Sequence, residues 1–435
     1  MIRFFTMLCV FLGCAVAMAQ ESPTVRFGAG LGGRVLGNTH FATVSLRAAF
    51  ANEWLRTGVE LPLAWQVEGE QATNGLLRTQ DWDETSDLTK LLRYCILQTP
   101  VAHDGEKPML KLHLGEPTGH TLGHGTVVHK YYNLLEVDHY KTAALFTSEF
   151  AYGAAEVFVN DVLGLDVLAA RAFFRPLAAN SDSPLRTLTF GATAAVDRHA
   201  THANELRHLP STPDANLRYL APGTQATTWV VGLDAGLELI HEKSLDLHIY
   251  ADLNAMKAAV AGAQESAGGS AHLGTQLHVV AWETQVELQT ELRAWNQGGQ
   301  PAVFDERHEV LRTATVTAGN ANGVPPTSLG GAGAMLALDL NAPGNWRAQF
   351  IADLRNDGTV WSRAWLALPE WHRVALRGHI SNGGNLPIFG AGSLHVRVFE
   401  HWRATAQAGR RVMLLMGAQA AQDDFAVGVG LEWVK

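Results

Sequence analysis

The residues best equipped for chemistry crowd into one glycine-rich stretch. Gly115-Glu116-Pro117-Thr118-Gly119-His120-Thr121-Leu122-Gly123-His124-Gly125-Thr126 leads on to His129, Lys130, Tyr131, Tyr132 and His139. His120 and His124, four apart, would share one face of a helix, as metal ligands sometimes do. Gly123 and Gly125 oppose a helix, since an interior glycine costs about 1 kcal/mol relative to alanine, and no cysteine stands near to complete a ligand set. No metal and no cofactor are expected here. The segment reads instead either as an external loop or as a constriction loop, Gly119 to His129, that folds into a pore and carries His120, His124 and His129 to its narrowing.

Other reactive groups are scattered without a diagnostic spacing. Arg198, His199, His202, Glu205, Arg207 and His208 form a second cluster, read as an exposed polar loop that contacts lipopolysaccharide or nothing. Ser148 with His139 can be picked for a lipid-hydrolysing site, but nucleophilic catalysis needs a base and an orienting acid or amide held around them, and no spacing specifies one. There is no P-loop, dinucleotide fingerprint or H-E-x-x-H motif. No residue is assigned as catalytic, and the chain is expected not to be an enzyme.

Those residues need a scaffold. The chain has 435 residues, 47% hydrophobic and 17% charged, with mean hydropathy near zero. It is neither a charge-rich disordered polymer nor a conventional helical membrane protein. A net charge of -9 disfavours a nucleic-acid partner, which would require a basic face. Residues 1–19 read as a signal peptide: Arg3 is its positive end, Phe4 to Val16 its apolar core and Ala17-Met18-Ala19 its cleavage site. A lipoprotein signal ending at Cys14 fits less well, because the apolar core continues past the cysteine. Cleavage before Gln20 removes Cys9 and Cys14 and leaves Cys95 as the only thiol of the expected mature chain, so no intramolecular disulfide can form. After the leader no apolar stretch is long enough for a membrane helix.

Period-two alternation dominates the rest of the chain. Trp229, Val231, Leu233, Ala235, Leu237 and Leu239 alternate with Thr228, Val230, Gly232, Asp234, Gly236 and Glu238. Leu245, Leu247, Ile249, Ala251, Leu253 and Ala255 then alternate with Asp246, His248, Tyr250, Asp252 and Asn254. Only strands with two different faces read this way. Leu273 to Val279 and Val286 to Ala294 repeat the pattern. Similar segments occur at Val25 to Val35, Ala42 to Phe50, Leu55 to Val67, Lys107 to Gly115, Lys141 to Phe150, Leu168 to Phe174, Leu188 to Val196, Ala332 to Leu340, Trp346 to Leu354, Val374 to Ile380 and Phe425 to Trp433. Sixteen to twenty strands, even in number, are expected. Short links, such as Glu242 to Ser244, alternate with long ones, at about Gln71 to Glu84, Gly119 to His139, Ala200 to Gln225, Gly262 to Gly269, Asn296 to Leu329 and Ser381 to Gly392.

The chain closes with Phe425, Val427, Val429, Leu431 and Trp433 on one face. This segment resembles the C-terminal strand of Gram-negative outer-membrane β-barrel proteins, in which alternating apolar residues lead to a near-terminal aromatic read by the barrel-assembly machinery. It departs from that pattern because Val434 and Lys435 follow the aromatic. The resemblance implies an all-β fold: a transmembrane antiparallel up-and-down β-barrel formed by residues 20–435, exported to the outer membrane and surrounded by its lipid and lipopolysaccharide. A soluble β-sandwich also alternates. It would need large apolar residues on the inner face, where this chain has Gly, Asp, Glu, Arg, Gln and His.

On that reading the polar face lines a lumen. Arg26, Arg34, Arg47 and Arg56 in the first strands, Arg171 and Arg175 in the middle, and Arg347, Arg355, Arg363, Arg373, Arg377, Arg397 and Arg403 in the last third would point inward; since closure sets the last strands beside the first, the arginines would form one wall. Asp234, Glu238, Asp246, Asp252, Glu287 and Glu291 would form another. Opposed walls would orient and sieve small polar solutes as in a porin; alternatively, the charges pair across strands and stiffen the barrel. The function expected is a porin-like outer-membrane channel for passive diffusion of small polar solutes, with a barrel enzyme or a structural barrel as the alternatives. No plug domain precedes the first strand, which disfavours an energy-coupled transporter.

Overall fold

The computed structural model describes residues 23–36, 39–68, 77–78, 82, 86–100, 109–115, 119–131, 141–179, 183, 185–198, 226–260, 266–299, 303–305, 330–343, 346–356, 358, 360–368, 374–383, 386–399, 401–411 and 424–434. The leader segment, Arg373, His139 and the cluster from His199 to His208 lie outside them, and so does the side chain of Arg377.

Alternation dictates strands, and strands must pair. The first nine are β1 (Thr24–Leu36), β2 (Thr39–Ala51), β3 (Leu55–Glu68), β4 (Leu92–Gln98), β5 (Leu110–Gly115), β6 (Val128–His129), β7 (Ala143–Phe150), β8 (Gly153–Val159) and β9 (Val167–Phe174). They are followed by β10 (Thr189–Asp197), β11 (Ala226–Glu242), β12 (Leu245–Val260), β13 (Ser266–Ala281), β14 (Thr284–Trp295), β15 (Phe304–Asp305) and β16 (Gly331–Ala342). The last six are β17 (Trp346–Arg355), β18 (Val360–Ala367), β19 (Val374–Gly383), β20 (Leu386–Phe399), β21 (Trp402–Arg411) and β22 (Asp424–Val434). All but β6 and β15 form one sheet of 20 strands in which neighbours are antiparallel and sequential. The sheet closes on itself: β1 pairs with β22 from Gly28↔Val434 to Val35↔Val427. Closure leaves no exposed strand edge.

The register sorts side chains by face. Leu233, Leu253, Leu273 and Leu292 on four successive strands are each more than 60% exposed, whereas Asp252, His272 and Arg293, paired across the same strands, are buried inside. Aromatic residues gather at the end that holds Thr24 and Val434. Phe150, Tyr152, Phe174, Trp282, Trp346, Phe399 and Trp402 border its turns and are exposed, Trp282 to 94%. An apolar outer band edged by aromatics is the surface a bilayer demands. The fold is a transmembrane antiparallel up-and-down barrel.

Three of the four longest links, 69–91, 116–142 and 296–330, carry the described interior loop segments and leave from the opposite end. Two expectations fail: the long link placed at Ser381 to Gly392 is strand, since β19 runs to Gly383 and β20 starts at Leu386, and the second half of the link placed at Gly262 to Gly269 is strand, since β13 starts at Ser266. Asn382, Gly383, Gly390 and Gly392 mimic a loop in composition, yet they lie in β19 and β20, paired from Arg377↔Ser393 to Gly383↔Leu386. Strands β4, β8, β18, β20 and β21 carry too little alternation to be picked out singly from the sequence.

Candidate functional site

The glycine-rich stretch is neither helix nor external loop. Residues 120–131 form a hairpin, held by paired backbone bonds between His120 and Tyr131 (3.0 and 2.7 Å) and a bond from Leu122 N to Val128 O (3.1 Å). Gly123 and Gly125 make its tip with φ of 55° and 84°, a left-handed geometry that favours glycine. The hairpin lies inside the barrel. Leu122, Val127, Val128 and Tyr131 are buried against inward residues of the wall, among them Phe158, Ala169, Ala195, Val230 and Met256. A second interior segment joins it from the 296–330 link: β15 pairs in parallel with β6, with Phe304 wholly buried.

Polar contacts pin the hairpin across several strands. His124 Nδ1 lies 3.1 Å from Asp252 Oδ1, and its ring stacks on Tyr250 at 4.2 Å. Gln289 Nε2 donates to the His124 carbonyl (2.8 Å), Gly123 N donates to Glu156 (3.3 Å), and Lys130 Nζ reaches Asp339 (2.9 Å) on β16. His129 is buried. His120 lies against the Phe158 ring (4.9 Å), with its Nε2 enclosed and lacking a hydrogen-bond partner among the described residues. Burial, with Lys111 and His113 close by, lowers its pKa to about 4, so the imidazole is neutral at pH 7.

Behind the hairpin the wall is a dense ionic network. Glu291 accepts from Tyr250 (2.7 Å), lies 2.9 Å from His272 Nδ1 and pairs with Arg293, which also reaches Asp353 at 3.4 Å. Arg171 grips Asp234 with both Nε and a terminal nitrogen (3.3 and 2.7 Å). Glycines make room for this: a Cβ at Gly274 would collide with the Tyr250 ring and one at Gly236 with His248. His124, Asp234 and Asp252 bring possible metal-ligating atoms within 4.8 Å of one another, but both Asp234 oxygens are already taken by Arg171, a guanidinium where a cation would have to sit.

The residues expected to line the lumen separate into groups. Asp234 and Glu291 are inward and paired on their own wall, and Asp252 is inward and paired with His124 of the hairpin. Arg355 lies over Trp295 at 5.7 Å and near Asp353 at 3.6 Å. Glu238 bonds His241 (2.8 Å) near the turn of β11, and Glu287, Arg347 and Arg397 are exposed near the ends of their strands. Arg377 holds a register position opposite Ser393. Ser148 is buried with its hydroxyl 3.5 Å from the Ala155 carbonyl. Sequence reasoning did not single out Lys130–Asp339, Arg171–Asp234 or the 303–305 segment as contacts.

On the far side, from β20 round to β3, the inner face is small. Its register rows read His395↔Thr405↔Gly430↔Gly32↔Thr43↔Ala64 and Gly30↔Ser45↔Pro62. A cavity of about 330 Å³ opens there.

The chain is similar to outer-membrane β-barrels. No family model matches it, and no curated protein matches it in sequence. Among solved structures, CdiB from Acinetobacter baumannii aligns at 8% identity over 94% of this chain and 60% of that one, with a TM-score of 0.28; the chain thus spans three fifths of its length. Wzi of Escherichia coli, an outer-membrane protein involved in group 1 capsule assembly and described as a carbohydrate-binding β-barrel, aligns at 12% identity over 98% and 86%, with a TM-score of 0.33. OprD of Pseudomonas aeruginosa aligns at 8% identity over 96% of each chain, with a TM-score of 0.32. At such values the neighbours decide neither activity nor solute.

Proposed function

We propose that this barrel is a porin-like channel of the outer membrane, delivered there by a cleaved leader at residues 1–19 and passing small polar solutes by diffusion. One observation carries the reading: the interior hairpin occupies one side of a closed, polar-lined barrel, while the opposite wall carries rows of glycine, serine and threonine beside a cavity that Arg47, Glu60, Lys90 and His395 also line. A barrel sealed for structural purposes would have no reason to leave that wall bare. Ser270 Oγ lies 2.8 Å from His272 Nε2, whose Nδ1 is 2.9 Å from Glu291, and Ser393 Oγ lies 3.0 Å from His395 Nε2; we read these contacts as packing of the wall, and the reading includes no enzymatic step. Outer-membrane lipid, lipopolysaccharide and the assembly machinery acting on β22 are the partners it implies, with no nucleic acid.

Planar-bilayer conductance of the detergent-refolded chain Gln20–Lys435 across a salt gradient tests it. Stable, voltage-tolerant steps are expected. Electrical silence from barrels shown to be folded and inserted would overturn the channel.

A further inference from the structure

The alternation of β11 breaks near its end, at the rim that holds Thr24 and Val434. Glu238 pairs with His248, but Ile240 pairs with Leu247 and His241 with Asp246, so Leu239 is bulged out of the ladder. In an unbroken strand Glu238 and His241, three apart, would point to opposite faces, and His241 would fall on the apolar one with Leu237 and Leu239. The bulge reverses the phase and re-aims the imidazole, as bulges at barrel rims do. His241 Nδ1 lies 2.8 Å from Glu238 Oε1 and 3.3 Å from Asp246 Oδ1. On the next strand, opposite Asp246 in register, His278 brings Nδ1 to 3.4 Å from Asp246 Oδ2.

One proton cannot serve this arrangement. A neutral imidazole carries it on Nδ1 or on Nε2. On Nδ1 of His241 it bonds Glu238, and Asp246 Oδ1, shut off from solvent, has no hydrogen-bond partner among the described residues. A divalent cation among them satisfies all three groups at once. Ligand atoms of Glu238, His241 and Asp246 lie within 4.8 Å of one another, and tetrahedral ligands about 2.0–2.1 Å from zinc stand about 3.3 Å apart. An imidazole nitrogen selects a transition metal over magnesium or calcium, which call for roughly six to eight oxygens. In the His124–Asp234–Asp252 group Arg171 holds the centre, whereas among the described residues no guanidinium bonds Glu238 or Asp246. Arg186, exposed on the turn before β10, acts on His241 through its charge and opposes the ion.

We propose that Glu238, His241 and Asp246 hold a divalent transition-metal ion of the zinc class at this rim, with a fourth position open to water, and that His278 is the positioning residue that fixes the Asp246 carboxylate through its second oxygen. The His241 side chain is 63% exposed, so the ion enters from solvent and exchanges. It ties β11 to β12 beside their turn. The site stands apart from the channel reading, because binding is measured whether or not the barrel conducts.

Zinc chloride, with magnesium chloride as control, is titrated calorimetrically into the chelator-treated, refolded chain Gln20–Lys435 in detergent, its strand content checked by circular dichroism. Zinc is expected to bind at least about tenfold more tightly than magnesium, as the imidazole ligand demands. His241→Gln and Asp246→Asn should each remove one equivalent of bound zinc, and zinc should raise the urea-unfolding midpoint of the parent barrel but not of either variant. His278→Ala should weaken that equivalent about tenfold or more, and His278→Gln, which keeps a donor toward Asp246, should restore it. Glu238→Gln takes the place of either ligand variant that does not refold. Zinc uptake of unchanged stoichiometry and affinity in the ligand variants overturns the site and assigns the metal to other histidines. Magnesium binding as tight as zinc binding overturns the ligand set.

Discussion

The two sides of this barrel solve the same problem in opposite ways. Each must satisfy polar groups that face away from lipid. From β8 to β16 the wall does so with large side chains, Tyr250, His272 and Arg293 bonded to Glu291 and Arg171 to Asp234, capped by an inserted hairpin. From β20 to β3 it does so with glycine, serine and threonine, which water or a solute can satisfy. Both are polar strands in one sheet, so polarity alone does not place a bore; side-chain volume and the anchoring of a loop do.

Cutting the buried network should separate the sides most sharply. Glu291 and His272 have fully buried side chains, and losing one member of such a network leaves charge stranded. Glu291→Ala should cost about 3–5 kcal/mol, read by urea unfolding of the refolded barrel, whereas Arg47→Ala on the bare side should cost about 1 kcal/mol or less. Equal losses would dissolve the contrast.

Acid should act on the filled side through His120. The His120 imidazole, with its pKa held near 4 against about 6.5 when unfolded, is neutral in the fold. Its contribution is present above pH 6.5 and is lost as pH falls toward 4, at most about 3 kcal/mol. Single-channel noise should rise between pH 6 and 4, and His120→Phe, which keeps the contact with Phe158 without a titrating group, should flatten that rise. A profile unchanged by His120→Phe would assign the acid response elsewhere.

Gly123→Val tests whether the hairpin limits the bore. Its φ of 55° disfavours a β-branched residue, and a Cβ there would strike Arg171. Displacement of the tip should raise conductance; an unchanged value would mean that current never passes beside it. The smallest effect is expected from Lys130→Ala: the bond to Asp339 joins two side chains about one-fifth exposed, so under about 1 kcal/mol should be lost, with more frequent brief openings in recordings.

Legibility in the sequence divides along the same line. Strands β11 to β14 announce themselves because strict alternation of leucine with charged or amide residues has no other explanation. Strands β19 and β20 read partly as a loop because Gly383, Gly390 and Gly392 carry no face. The four histidines and four glycines point to an unusual segment, and its glycines argue correctly against a helix. Its partners escape any such reading, because Phe304 pairs with Val128 and Lys130 meets Asp339 across stretches of chain with no spacing rule. The expected opposition of an arginine wall to a carboxylate wall is modified likewise: Asp234, Asp252 and Glu291 find Arg171, His124 and Arg293 on the filled side itself.

The join between first and last strands has a consequence for how the molecule is made and how it yields. β1 pairs with β2 along its whole length but with β22 only from Gly28 to Val35. Along that seam Gly28, Gly30 and Gly32 face a strand that carries Gly428 and Gly430, and the Gly32 backbone lies so near that of Val429 and Gly430 that even a methyl group would not fit. On that inner face main-chain bonding holds the cylinder shut, while Leu31 pairs with Leu431 on the outer face. Because it joins the two ends of the sheet, it can form only once both end strands are in place, and under lateral tension it is the joint expected to unzip first.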